Sequence, residues 1–251
     1  MSPRQVDLQT LHNREQVLLD AAMDLIMKQG VEGLTMDKLV REVPYSKGTV
    51  YGHFSGKEDL LLAICNRGMD LLGGLFERAR QFEGTSRERI LAIHFSYLLY
   101  SRLYPMMFML VITAKSPGVT EKASDRQREE HRQLEAKISG GIIAVIEQAL
   151  ADRECENPYQ LTSEQIAFSN WSTAFGSISL LSKDFEQCSV RAQLDSEQAL
   201  LNNINLLLDG LHWRPLFSEF DYNLTLQRFR SEIFAVEVEM LRAKGMELQP
   251  N

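Results

Sequence analysis

Residues 35–60 read TMDKLVREVPYSKGTVYGHFSGKEDL, and the interpretation of the whole chain turns on this stretch. Thr35 stands where an N-cap is needed before Met36, Leu39 and Val40, apolar residues at helical intervals on one face. Pro44 stops that helix, because the residue before a proline is pushed out of the helical region. Ser46 can cap a third short helix through Tyr51. Ser55, with Glu58 three residues on, has the pattern of a capping box ahead of Leu60, Leu61, Leu62 and Ile64. Upstream, Leu18, Ala22, Leu25 and Ile26 place a helix over roughly 13–29, closed by Gly30. Three helices, the last two very short and joined by a turn of about four residues, are the sequence form of a helix-turn-helix.

Beyond it, alternating strand patterns are nearly absent. Segments 87–104, 106–115, 124–153, 163–181, 196–212 and 224–244 read as helices separated by Gly, Pro, Asn or Ser clusters. The expected fold is all-α: a helix-turn-helix domain over 1–54 and a helical bundle over 55–251, forming a dimer. The helix opening at Ser55 runs to about Phe82 through Gly73 and Gly74. Two adjacent glycines in a helix interior point to a hinge, a close packing site or a break between two helices.

The 251 residues are 44% hydrophobic, enough for a sizeable core, and the net charge of -7 argues against nonspecific nucleic-acid or membrane binding by the whole surface. Cys65, Cys155 and Cys188 lie too far apart for a zinc site or redox pair and read as reduced thiols. The first 15 residues carry charges and no apolar run, and the longest apolar run, 106–112, is far below the ~20 residues of a spanning helix. These features predict a soluble cytoplasmic protein without a membrane partner.

The run from Thr35 to Leu60, preceded by Leu19-Asp20-Ala21-Ala22, strongly resembles the DNA-binding domain of the TetR family of transcriptional regulators. The block from Ser46 to Phe54 and the Lys57-Glu58-x-Leu60 that follows carry most of the likeness, which spans about 14–64. The resemblance implies a homodimeric regulator that binds double-stranded operator DNA. It further implies a repressor released from a palindromic site by a small-molecule effector held in the C-terminal bundle. One departure is Val43-Pro44-Tyr45, where the family usually has Ala-Gly-Val. Either the turn differs locally, or that glycine has no need of positive φ.

On this reading Ser46, Lys47, Gly48, Thr49 and Tyr51 lie at or near the end of the recognition helix that reaches base edges and phosphates, with Gly48 admitting close approach. Thr35 and Lys57, at the starts of flanking helices, face phosphates, and Lys38 and Arg41 are candidate backbone contacts. His53 either donates to a phosphate or packs, while Val50 and Phe54 belong to packing. Residues 1–60 hold seven basic against nine acidic residues, so the domain has no overall basic signal; between Thr35 and Lys57, Lys38, Arg41, Lys47 and Lys57 outnumber Asp37 and Glu42, and Arg4 and Arg14 add to the arm.

In the bundle, Phe95, Tyr97, Tyr100, Met107 and Phe108 concentrate adaptable apolar side chains that either line a pocket for a hydrophobic ligand, with His94, Asn170 and Trp171 beside them, or form ordinary core. Ala167, Trp171, Ala174, Phe175 and Ile178 form one helical stripe, and Leu200, Ile204, Leu207, Leu208 and Leu211 another. The family layout makes these the dimer interface, with burial inside the protomer as the alternative. The segment after Trp213 has no assigned role. No catalytic motif, metal-ligand spacing or cofactor fingerprint occurs in the sequence, so neither an enzyme nor a bound cofactor or metal is expected. The rival to a DNA-binding regulator is a helical ligand-binding or scaffold protein that has lost DNA affinity.

Overall fold

The structure is a computed structural model that describes residues 7–182 and 189–248; Arg4 and Cys188 lie outside them. In chain order the helices are α1 (Leu8–Gly33), α2 (Met36–Glu42), α3 (Lys47–His53), α4 (Lys57–Arg80), α5 (Ser86–Leu103), α6 (Pro105–Ala114), α7 (Pro117–Thr120), α8 (Asp125–Ala151), α9 (Ser163–Leu180), α10 (Ser196–Gly210), α11 (Tyr222–Arg228) and α12 (Ala235–Ala243). The described residues contain no strand, only an isolated bridge between Cys155 and Trp213.

The chain divides into two compact units. One runs to Met69 and takes in Met106–Leu134; the other comprises Asp70–Pro105 and the chain from Glu135 on. The unit that holds the helix-turn-helix thus extends well past residue 54. Buried polar groups account for this: Asp59, at 2% exposure, accepts hydrogen bonds from the backbone N–H and hydroxyl of both Ser55 (2.9 and 3.1 Å) and Ser124 (3.0 and 2.7 Å). Burial alone would raise the Asp59 carboxyl, but these four donors outweigh it and hold it below the usual carboxylate range. Two turns further on, Asn66 donates to the Gln127 carbonyl and amide oxygen, while its own oxygen meets His131 Nδ1 at 2.8 Å.

Ser55 therefore does not form the expected box with Glu58. The partner is Asp59, four residues on, and Glu58 turns toward Lys122 at 3.6 Å. Of the three readings of Gly73-Gly74, a break between two helices is absent, since α4 is one helix through both glycines. A Cβ at Gly73 would meet Ile138 at an ordinary 3.6 Å, so close packing does not require the glycine either.

In the first unit, the helical phase of α1 buries Leu18, Ala22, Leu25 and Ile26, and α2 answers with Met36 and Leu39. Gly30 adopts φ 72°, a conformation that favours glycine, and ends the regular part of α1. Thr35 and Ser46 cap α2 and α3 as their spacing requires, accepting from Lys38 N (3.3 Å) and Thr49 N (3.1 Å). Between them the turn contains no residue at positive φ, so Pro44 fits where a glycine is usual: α2 has already ended at Val43.

In the second unit α5 is buried on nearly every side, as expected of a helix with little amphipathic character, and α9, α10 and α12 pack around it. Arg87, fully buried, binds Asp209, Asn205 and the Trp213 carbonyl. The segment expected to be one helix over 224–244 is instead broken. A π-helical turn at Phe229–Ile233 separates α11 from α12, with Phe234 N–H bonded to the Phe229 carbonyl at 2.9 Å. The wider turn puts residues five apart on one side, and both Phe229 and Phe234 are fully buried against Phe95 at centroid distances of 5.8 and 5.9 Å.

Candidate nucleic-acid interface

The recognition helix α3 is anchored from one side only. Val50 and Phe54 have 0% exposure and root it in the core, while Ser46, Lys47, Gly48 and Tyr51 are exposed on the other side. Tyr51 retains 41% of its surface. Thr49 is half-buried and shares a 2.9 Å hydrogen bond with the Ser46 hydroxyl, which fixes its rotamer at the start of the helix. Lys47 Nζ lies 3.0 Å from Asp37 Oδ1 and 5.5 Å from the centroid of the Tyr51 ring. The carboxylate raises the Lys47 pKa, chiefly through that hydrogen bond.

The remaining residues divide. Thr35 and Arg41 are exposed and Lys57 half-buried, each on the helices flanking α3. Lys38 turns back instead, donating to the Gly33 carbonyl (2.8 Å) and Gln29 Oε1 (2.6 Å), and so supplies the cation that the last turn of α1 lacks. His53 is 9% exposed, with Nδ1 3.7 Å from Glu15 Oε2, and Arg126 joins the same Glu15 carboxylate (3.1 Å) to the His53 carbonyl (3.3 Å). Its surroundings are those of a packed histidine. Sequence reading missed Asp37 as the partner of Lys47, and Tyr45, whose ring lies 6.0 Å from the Arg14 guanidinium.

Among the residues considered for an effector, Met107 and Phe108 are buried in the first unit, and His94, Phe95, Tyr97, Tyr100 and Asn170 in the second; Trp171 is 41% exposed. Asn170 donates its amide to the Ile166 carbonyl, leaving its oxygen 2.9 Å from His94 Nε2. His94 must therefore donate, which assigns the neutral Nε2–H tautomer. Trp171 Nε1 reaches Tyr97 Oη at 3.4 Å, and burial pushes that phenol up to about 12. A shallow cleft of about 380 Å³ opens elsewhere, beside Leu161, Glu164, Gln165, Phe168 and Ser169 at the start of α9.

Burial pushes His94 down from its usual 6.5 to about 4, against the raising effect of Asn170. The unfolded chain thus takes up this proton first as the pH falls. The stability His94 contributes is complete above about pH 6.5 and declines toward pH 4, by up to ~3 kcal/mol. Urea unfolding across that window is expected to show the loss, and His94→Gln to flatten it; an equal pH slope in both proteins would contradict the assignment.

On the two stripes, Ala174, Ile178, Leu200, Ile204, Leu208 and Leu211 are buried within the protomer, where α10 packs on α9 and α5. Ala167, Phe175 and Leu207 are half-buried. On α9, Phe168, Trp171 and the half-buried Phe175 form a row of rings in contact at 6.2 and 6.3 Å, and Leu180 and Leu206 are exposed as well. Phe168, Leu180 and Leu206 lie off the stripes that periodicity picked out.

A seven-residue helix held by two buried side chains, with its other face presented beside a proline turn, defines a helix-turn-helix protein joined to a helical bundle. Residues 18–64 match the bacterial regulatory proteins of the tetR family. The regulator SrpR of Pseudomonas putida is 39% identical over 49 residues, which is 20% of this chain and 23% of SrpR, so the shared stretch spans under a quarter of that relative. Solved structures extend the likeness of fold. A Rhodococcus sp. RHA1 protein of unknown function has a TM-score of 0.64 at 20% identity, over 84% of this chain and all of its own. AibR, solved with isovaleryl coenzyme A and operator DNA, has a TM-score of 0.58 at 21% identity over 78% of this chain and 98% of its own. The helix-turn-helix stretch, residues 18–64, is thus that of the tetR family of bacterial regulatory proteins, and the likeness of the rest of the chain is one of fold. Among the described residues no single helix is long and apolar enough to cross a membrane.

Proposed function

We propose that the protein is a cytoplasmic, homodimeric repressor that reads a palindromic operator with α3 and leaves it when a small hydrophobic molecule binds the bundle. The observation that carries this reading is the division of α3 into a buried side, Val50 and Phe54, and an exposed side bearing Ser46, Lys47, Gly48 and Tyr51, with Thr49 half-buried between them. Such a helix offers side chains to a major groove without disturbing its own packing. A palindrome calls for a two-fold pair of these helices, and the apolar edge of Phe168, Trp171 and Phe175 suits association of two copies. Ligand and DNA binding in one such fold has precedent in AibR, and the buried polar pair His94–Asn170 lies among apolar side chains of the bundle.

Binding to the promoter next to the gene, titrated with salt, tests the reading. Lys57→Ala is expected to weaken all duplexes alike and to lower the magnitude of the log K against log salt slope by about one, as loss of a single phosphate contact requires. Thr49→Ala should instead change the preference among sites. Unchanged affinity and slope in Lys57→Ala would remove Lys57 from the interface. Failure of the unaltered protein to bind any duplex at low salt would favour a ligand-binding protein without DNA affinity.

A further inference from the structure

Lys47 is the exposed cation nearest the start of the recognition helix, yet it is engaged before any DNA arrives. Its ammonium sits 3.0 Å from Asp37, with the two side chains 64% and 68% exposed, and above the ring of Tyr51 one turn along. An ion pair this open to solvent adds little to folding stability. Its consequence is electrostatic: a lysine matched by a carboxylate at contact distance brings no net charge to a phosphate, and nonspecific affinity for a duplex rises with the number of phosphates neutralised. The lysine of α2, Lys38, is likewise occupied at the end of α1.

We propose that Asp37 is a specificity-determining residue that withholds Lys47 from phosphates, so that random-sequence DNA is bound weakly and Lys47 is released only to a base edge. The proposal rests on the DNA-binding reading above and concerns which contacts that binding uses. A base edge can satisfy both members of the pair where a phosphate satisfies one. Lysine donates to guanine O6 and N7, and a carboxylate accepts from the amino group of cytosine, whereas a phosphate beside Asp37 meets a like charge. Asp37 belongs to the first turn of α2 and Lys47 to the first turn of α3, so the turn around Pro44 is what brings the two together.

The test uses the full chain and a random-sequence duplex, which requires no knowledge of the operator. Asp37→Asn keeps the side-chain shape and removes the charge. It is expected to tighten binding to that duplex several-fold at low salt and to steepen the log K against log salt slope by about one phosphate contact. Adding Lys47→Met should cancel both effects. An Asp37→Asn protein with unchanged slope and affinity would overturn the proposal while leaving the DNA-binding reading intact. So would an effect of the same size in the Lys47→Met background, which would mark Asp37 as a general repulsive charge. Should neither the unaltered protein nor Asp37→Asn bind at the lowest salt, the DNA-binding reading falls and this proposal with it.

Discussion

Arg87→Ala is expected to destabilise the protein by about 3–5 kcal/mol, the effect of removing one partner from a buried charge network. The Arg87 side chain is fully buried. It donates from Nη1 to Asp209 Oδ1 and to the Trp213 carbonyl, both at 2.6 Å, and from Nη2 to Asn205 Oδ1 at 2.9 Å. Its guanidinium carbon lies 5.1 Å from the Tyr222 ring centroid. Alanine would leave an amide oxygen and a main-chain carbonyl without their donor and would open a void on α5. Lysine is expected to recover only part of the loss, since one ammonium cannot reproduce the planar fork that meets three acceptors. Urea unfolding measures the effect, and an unshifted midpoint in Arg87→Ala would show that the network contributes nothing net.

A chain ended at His212 is expected to lose cooperative folding of the second unit altogether. The missing segment supplies Trp213, Phe229 and Phe234, each with 0% exposure. Trp213 donates its indole N–H to the Ser86 hydroxyl at 2.7 Å, and Phe229 packs edge-on against Phe82 at 4.9 Å. Truncating one buried aromatic to alanine costs about 3–5 kcal/mol, so the loss of three is comparable to the whole stability of an ordinary domain, about 5–15 kcal/mol. Phe229→Ala, a milder lesion, should fold with its midpoint lowered by an amount in that single-residue range. If the truncated chain melts with the sharpness and temperature of the complete one, the segment is an appendage and the packing argument is wrong.

The parts of this structure that were legible in the sequence are those fixed by neighbours in the chain. Thr35 and Ser46 cap the helices they precede because the cap and the N–H it satisfies are three residues apart. Pairing across a turn was not legible: Asp37 and Lys47 are ten residues apart, and nothing in either residue says that the path around Pro44 makes them neighbours. Ser55 has two carboxylates within reach, Glu58 and Asp59, and the choice is made by Ser124, 65 residues beyond Asp59. The stripes on α9 and α10 show why periodicity identifies a buried face and not its partner. Most of that face is covered by the protomer itself. The π turn at Phe229–Ile233 carries no glycine or proline to announce it, only two phenylalanines spaced to require it.

The one-sided anchoring of α3 bears on how such a protein changes over generations. Lys47, Gly48, Tyr51 and Gly52 are all exposed, and a Cβ added at Gly52 would meet nothing within 4 Å. Folding therefore exerts almost no selection on these positions, and on the proposed function a substitution there is judged by the groove it would enter rather than by the core it leaves alone. On the proposed function, a duplicated copy of the gene could drift toward a new address on the chromosome through a few surface replacements, while Val50 and Phe54 keep α3 in place.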